Sequence, residues 1–324
     1  MAPARGLRLV ADIGGTRARF ALLGEGASRP ARRRVYAVAD FRGPYEAIRA
    51  YLDAEGDPPV VGGALAVATA VTGDAVRFTN SPWAFSIDAL RAALGWGRLE
   101  VVNDFTALAR SLPLLEAADK RRIGGGGPVA GAPLALLGPG TGLGVSGLVP
   151  CAGGWVPIAG EGGHAAFSPG TRREAAVLEH LWQTWERVSF ERLLSGQGLV
   201  TLHRTLAALD GDDAPALQPE EVTARALEES DARCREALEL FCAVLGTAAA
   251  NLCLTLGARG GVYIGGGIVP ALGAWFAASP FRARFEAAGR FSAYLAAVPT
   301  WVVLATDAAL RGAALVFTEP DRRA

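Results

Sequence analysis

Two stretches of this chain follow one plan. In ADIGGTRARFALL (11–23) and in LGPGTGLGVSGLV (137–149) a strand ends, glycine flanks Thr16 or Thr141, and a second strand leaves the turn. Apolar runs on both sides of such a turn restrict the chain to hairpins with bare backbone at the bend. Their recurrence predicts two weakly similar domains that face a cleft. A length of 324 residues agrees, because a single hydrophobic core seldom grows so large.

Around these units the pattern is α/β. Residues 7–39 read as three strands, LRLVADIG, RARFALLG and RRRVYAVAD, followed by a helix at about 44–54. The run VVGGALAVATA, a short strand near AVRFTN, a helix opened by Ser86 and the strand RLEVVND come next. GGGGPVAGAP (124–133) reads as a loop, after which the strand–turn–strand unit restarts with GGWVPIAG as a third strand. Helices dominate about 171–256; GGVYIGGG and TWVVLAT return to strand, and DAALRGAALVF closes as a helix.

Charge narrows the partners. Lys plus Arg and Asp plus Glu both number 32, so the formal charge is zero and no long block of one sign exists to grip nucleic acid or an anionic membrane. A small solute is the expected partner. Lys120 is the only lysine and no glycine-rich loop precedes it, which excludes a Walker loop and a protein-kinase fold. Cys151, Cys234, Cys242 and Cys253 form no CxxC and read as free thiols in a reducing cytosol, with redox sensing or metal binding as the lesser alternative. The start MAPARGLRLV is too short in its apolar part for a secretory signal, and no stretch reaches the ~18 apolar residues of a membrane span. LFCAVLGTAAANLCLTLG comes nearest, but Cys234, Leu238, Phe241, Leu245 and Ala249 recur as on a buried helix. The expectation is a soluble, cytoplasmic protein.

The turns suggest phosphate. Gly14 and Gly15 let backbone N–H groups approach an anion, and Thr16 adds a hydroxyl. Asp12 beside a phosphate calls for a cation between them, hence Mg²⁺, directly or through bound water; the alternative is an Asp capping a tight turn. The second turn, with Gly138, Gly140, Thr141, Gly142 and Gly144, lacks an acid and suits the other side of a polyphosphate, or is a glycine-rich hairpin. Gly265, Gly266 and Gly267 end an apolar strand where a nucleoside could lie against bare backbone, or simply make a turn. Asn103 and Asp104 stand where a strand passes into a helix. There an acid could take a proton from an attacking hydroxyl while Asn103 holds the substrate, and helix capping is the competing reading. Glu161 and His164, two glycines apart, suit a polyhydroxylated ligand better than a metal, and Glu191 follows Ser189 at a helix start where capping is again an alternative. His180 and His203 read as ordinary helix residues.

In this order ADIGGTRARFAL, TNSPWAFSI, EVVNDFTALARSLP, GPGTGLGVSGLV, GEGGHAAFSP, VSFERLLSGQGLVTLHR, GGVYIGGGIVP and GRFSAYLAAVP resemble the bacterial ATP-dependent glucokinases of the actin-like hexokinase and sugar-kinase superfamily. The resemblance covers nearly the whole chain. It implies a two-domain α/β fold of the actin-like ATPase (ribonuclease H-like) type with an interdomain cleft. The small domain is expected at 1–114 plus about 306–324, and the large one, with most of the nucleotide site, at 115–305. It further implies the first step of glycolysis, in which ATP and Mg²⁺ phosphorylate glucose. By resemblance Asp104 activates the 6-hydroxyl, and Asn103, Glu161, His164 and Glu191 bind the other hydroxyls. Asp12, Gly14 to Thr16 and Gly140 to Gly142 hold phosphates and Mg²⁺, Gly265 to Gly267 face the adenosine, and the assembly is a homodimer.

Ala70 stands where the family is expected to carry proline, and Asp307 with Ala308 where Asn-Pro is common. The related group with a CxCGxxGC zinc motif is a poor fit. Two alternatives remain open: a kinase for another hexose or one using polyphosphate, and a non-catalytic actin-like nucleotide-binding module.

Overall fold

The computed structural model describes residues 6–27 and 29–318. The first half of the start read as lacking a signal (1–5) and the last part of the small-domain segment (319–324) lie outside the described residues. The chain divides into two compact units, Met1–Leu115 with Ala305–Ala324, and Glu116–Leu304.

The first unit opens with the antiparallel strands β1 (Leu7–Ile13), β2 (Arg17–Leu23) and β3 (Ala31–Ala37). Helix α1 (Pro44–Ala54) leads to β4 (Val60–Val67), and the hairpin β5 (Ala75–Arg77) and β6 (Ala84–Ser86) precedes α2 (Ile87–Ala93). Strand β7 (Arg98–Asn103) runs into α3 (Asp104–Ser111). The sheet order is β3-β2-β1-β4-β7, with β1, β4 and β7 parallel. Six consecutive buried residues end β4, as a central strand covered on both faces requires. Exposed Arg32, Arg33 and Arg34 on edge strand β3 keep that edge from pairing with other chains. The expected cap Ser86 is present, its hydroxyl accepting from Ala89 N–H at 3.1 Å.

The second unit adds β8 (Lys120–Gly124), then β9 (Leu134–Pro139), β10 (Leu143–Cys151) and β11 (Gly154–Gly160). Helices α4 (Arg172–Leu181), α5 (Gly196–Leu209), α6 (Pro219–Leu227) and α7 (Ala232–Leu256) follow. After β12 (Gly261–Ile264) come four short helices, α8 (Ile268–Ala271), α9 (Trp275–Ala278), α10 (Phe281–Glu286) and α11 (Ser292–Ala296), then β13 (Thr300–Val303). The sheet order is β11-β10-β9-β12-β13-β8. Without the antiparallel edge strand β8, this repeats the first sheet: a three-strand meander followed by two parallel strands. The doubled Gly/Thr plan therefore marks a doubled topology.

Helix α7 carries an 18-residue window of mean hydropathy 1.8 and is long and apolar enough to cross a membrane by length and composition alone. Yet 67% of that window is buried within the protein, with Leu238, Phe241 and Leu245 fully enclosed, so it is a core helix. Buried cysteines and alanines raise hydropathy without lipid contact.

The chain then returns to the first unit as α12 (Ala308–Ala314), packed on α3. A Cβ at Gly312 would lie 1.7 Å from the Ala107 carbonyl oxygen, so the two helices touch through backbone. Gly312→Ala is expected to destabilise the protein by about 2–3 kcal/mol through overpacking, read as a lower urea midpoint. An unchanged midpoint would show that the contact is not required.

Candidate active site

In the first sheet Ile13, Val67 and Asn103 are register partners, so the carboxyl ends of β1, β4 and β7 form one row. That edge is where open α/β sheets place their ligands. It presents the first Gly/Thr turn, Thr69 and Asp104.

Asp12 lies opposite Arg19 in the β1/β2 register, and Arg19 Nη1 donates to Asp12 Oδ2 at 2.8 Å. Burial pushes the Asp12 carboxyl above its ordinary range, and the Arg19 charge and hydrogen bond oppose that rise. A cation thus already stands beside the carboxylate, and sequence reasoning missed it. The Gly14 N–H donates to the Arg17 carbonyl at 2.9 Å, so it is already engaged within the turn and is not a spare donor for an anion. Gly15 has a structural reason as well, since a Cβ there would come within 2.7 Å of the Asn80 carbonyl oxygen.

At the end of β7 both readings of Asn103 meet. Its Oδ1 accepts from Phe105 N–H (2.9 Å) and Thr106 N–H (3.2 Å), capping α3. Its Nδ2 donates to the Thr69 carbonyl (3.3 Å) and to Asp104 Oδ1 (3.0 Å). Asp104 Oδ1 also accepts from Phe105 N–H at 2.9 Å. The cap therefore fixes the carboxylate at the mouth of the sheet.

In the second unit Glu161, His164 and Glu191 line one pocket, together with Arg187, Ser189 and Arg192. The loop is compact because a Cβ at Gly163 would lie 2.1 Å from the Leu143 carbonyl oxygen. Helix capping by Ser189 and Glu191 is not what the structure shows: residues Phe190–Arg192 form one 3₁₀ turn with no side-chain cap. Glu191 instead points in two directions. Its Oε1 lies 3.7 Å from His164 Nδ1, and its Oε2 accepts from Leu143 N–H at 2.9 Å. Arg187, unforeseen from sequence, reaches the His164 carbonyl at 3.4 Å.

The second turn narrows to Gly140–Gly142. Gly138 and Gly144 are paired partners inside β9 and β10, the register position that Asp12 and Arg19 hold in the first hairpin. The Gly140 N–H donates to the Gly142 carbonyl at 2.8 Å, and the Gly196 N–H, opening α5, donates to the Gly140 carbonyl at 2.9 Å. Donors for an anion are then the Thr141 hydroxyl and the Thr141 and Gly142 amides. A side chain at Gly142 would displace the Glu191 carboxylate, because a Cβ would lie 2.5 Å from Glu191 Oε2. The third glycine cluster abuts this turn. A Cβ on Gly138 would lie 2.4 Å from the Gly265 carbonyl carbon, and Gly266, with φ of +75°, would clash with Pro139 at 2.3 Å. Gly266 and Gly267 are exposed, so the two turns form one continuous surface of bare backbone. On the far side of Glu191 a second pocket begins at Thr141 and runs along α4 and α5.

Comparisons with known proteins agree with one another. The family model described as Glucokinase matches residues 9–320. A glucokinase of Chromobacterium violaceum is 52% identical over 309 residues, covering 95% of this chain and 88% of that protein. One of Aromatoleum aromaticum is 53% identical over 310 residues, covering 95% and 93%. Among solved structures, a glucokinase from an Antarctic psychrotroph superposes with a TM-score of 0.87 at 34% identity, covering 97% of this chain and 99% of that one.

Proposed function

The chain belongs to the glucokinase family, and from that premise we propose that it transfers the γ-phosphoryl group of ATP to the 6-hydroxyl of D-glucose, giving glucose 6-phosphate and ADP. The observation that carries the assignment of roles is the Asp104 carboxylate, held by Asn103 at the open end of the first sheet. It takes the proton of the 6-hydroxyl as that oxygen bonds to the γ-phosphorus and the bond from phosphorus to the β,γ-bridging oxygen breaks. Glu161, His164 and Glu191 accept from and donate to the remaining hydroxyls, which explains polar groups gathered without metal-ligand spacing. The Gly15–Thr16 and Thr141–Gly142 donors neutralise phosphate charge, and the bare strip at Gly265 to Gly267 takes the nucleoside.

Mg²⁺ fits this arrangement. Asp12 is a hard oxygen donor at a strand end beside a phosphate turn, and Mg²⁺ needs only one or two carboxylates besides water and phosphate. Bound there, the ion would shield the phosphates from Asp12 and polarise them for attack. Arg19 serves the same end from the neighbouring strand. Arg19→Met is expected to raise the KM for ATP about tenfold, the loss of one charge-assisted hydrogen bond. Glucose affinity should stay unchanged in that variant. A shift in glucose affinity instead would detach Arg19 from the phosphate end.

The reading is tested by a coupled assay of phosphoryl transfer over glucose, mannose, fructose and N-acetylglucosamine, each with ATP and with polyphosphate. Transfer from ATP to glucose with the highest kcat/KM is expected, and nucleotide binding without transfer to any sugar would refute it. The same proposal places the enzyme in the cytoplasm as a homodimer. Exposed Cys151, which carries a free thiol, is in keeping with that reducing compartment.

A further inference from the structure

Away from the pocket residues, α5 and the start of α7 bring together three side chains that the kinase reaction does not use. His203 on α5 is 1% exposed, Cys234 on α7 is fully buried, and half-buried Asp231 caps α7. Their donor atoms all lie within 4.8 Å of one another. A tetrahedral zinc ion with ligands at roughly 2.0–2.3 Å holds donor atoms roughly 3.5 Å apart, so small side-chain rotations close the set.

The Cys234 thiol already bonds the Asp231 side chain, and the cap engages the backbone through one carboxylate oxygen only. Both backbone bonds to Asp231, from Arg233 N–H at 2.9 Å and Cys234 N–H at 3.0 Å, go to Oδ1. His203 supplies the independent sign of a ligand: its Nδ1 is buried with no hydrogen-bond partner. An unsatisfied buried polar atom costs about 1–3 kcal/mol and calls for an explanation. Arg204, Arg225 and Arg233 bear on the imidazole electrostatically. The Arg233 charge is taken up by Asp212 at 2.5 Å and Asp210 at 3.8 Å, which lessens its repulsion of a cation.

We propose that His203, Asp231 and Cys234 form a binding site for a thiophilic divalent cation of the Zn²⁺ class, with water completing the coordination on the half-exposed Asp231 side. Imidazole, carboxylate and thiolate together match borderline-soft ions rather than Mg²⁺. On binding, the sulfur–hydrogen bond of Cys234 gives way to a sulfur–metal bond and the proton leaves to solvent. The ion would fasten the start of α7 to α5, the helix whose first amide holds the Gly140 carbonyl. Ligands from two helices, 28 and 3 residues apart, escape any zinc motif in the sequence.

Cobalt(II) is the probe, because thiolate ligation gives a charge-transfer band in the near ultraviolet. The metal-stripped full-length enzyme should bind one Co²⁺ with that band and lose it to added Zn²⁺. Cys234→Ser should abolish the band, Cys151→Ser should keep it, and His203→Gln should weaken affinity by at least about tenfold. Circular dichroism and glucose binding confirm that each variant is folded. No thiolate band in the wild type, a band that follows Cys151, or one indifferent to His203 overturns the proposal. None of these readouts depends on phosphoryl transfer, so the site stands or falls apart from the assigned activity.

Discussion

Asp104→Asn is expected to lower kcat by about a thousandfold while leaving the dissociation constant for glucose within a few-fold of wild type. The substitution preserves shape. An amide oxygen at the same place can still accept from Phe105 N–H and Asn103 Nδ2, so the start of α3 stays as it is. Only the capacity to take a proton is removed. Turnover follows from a coupled assay and binding from titration calorimetry. Turnover within tenfold of wild type would mean that another group, or solvent, accepts the proton.

The second large effect is expected at Glu191, where Glu191→Ala should raise the KM for glucose and for ATP together, each by about 10–100-fold. One carboxylate faces His164 with one oxygen and holds Leu143 N–H, directly after the Gly140–Gly142 turn, with the other. Its loss frees His164, proposed to bind the sugar, and leaves the turn proposed to bind phosphate without its brace. His164→Gln is the control, because it leaves the Leu143 bond intact and should affect glucose alone. A Glu191→Ala enzyme with an unchanged KM for ATP would show that the brace has no part in nucleotide binding.

Legibility from sequence followed the range of the interactions. The hairpin at Asp12–Arg19, the Ser86 cap and the buried run at β4 are local or periodic, and each could be read directly. Strand β8 could not. Its residues KRRIG lack apolar alternation, and they become a strand only because β13, about 180 residues on, offers an edge. Helices α8 to α11 are too short for a 3.6-residue period to show. In the site, residue types at strand ends were visible as candidates, but the choice between cap and ligand was not. Asn103 proved to cap a helix while orienting its neighbour, and Glu191 capped nothing and instead bonded an amide 48 residues away. Arg19 lies seven residues from Asp12, and only the hairpin register reveals that they face each other.

The two hairpins divide their labour at a single register position. Where the first sets an acid against a base, Asp12 across from Arg19, the second sets Gly138 across from Gly144. The first position carries an ion pair, while at the second the backbone after β12 comes within 2.4 Å of where a Cβ on Gly138 would stand. A swap of the two pairs would therefore fail in both places: side chains would wedge apart β9 and the backbone after β12, and the first hairpin would lose the ionic groups that the proposed phosphate and Mg²⁺ site relies on.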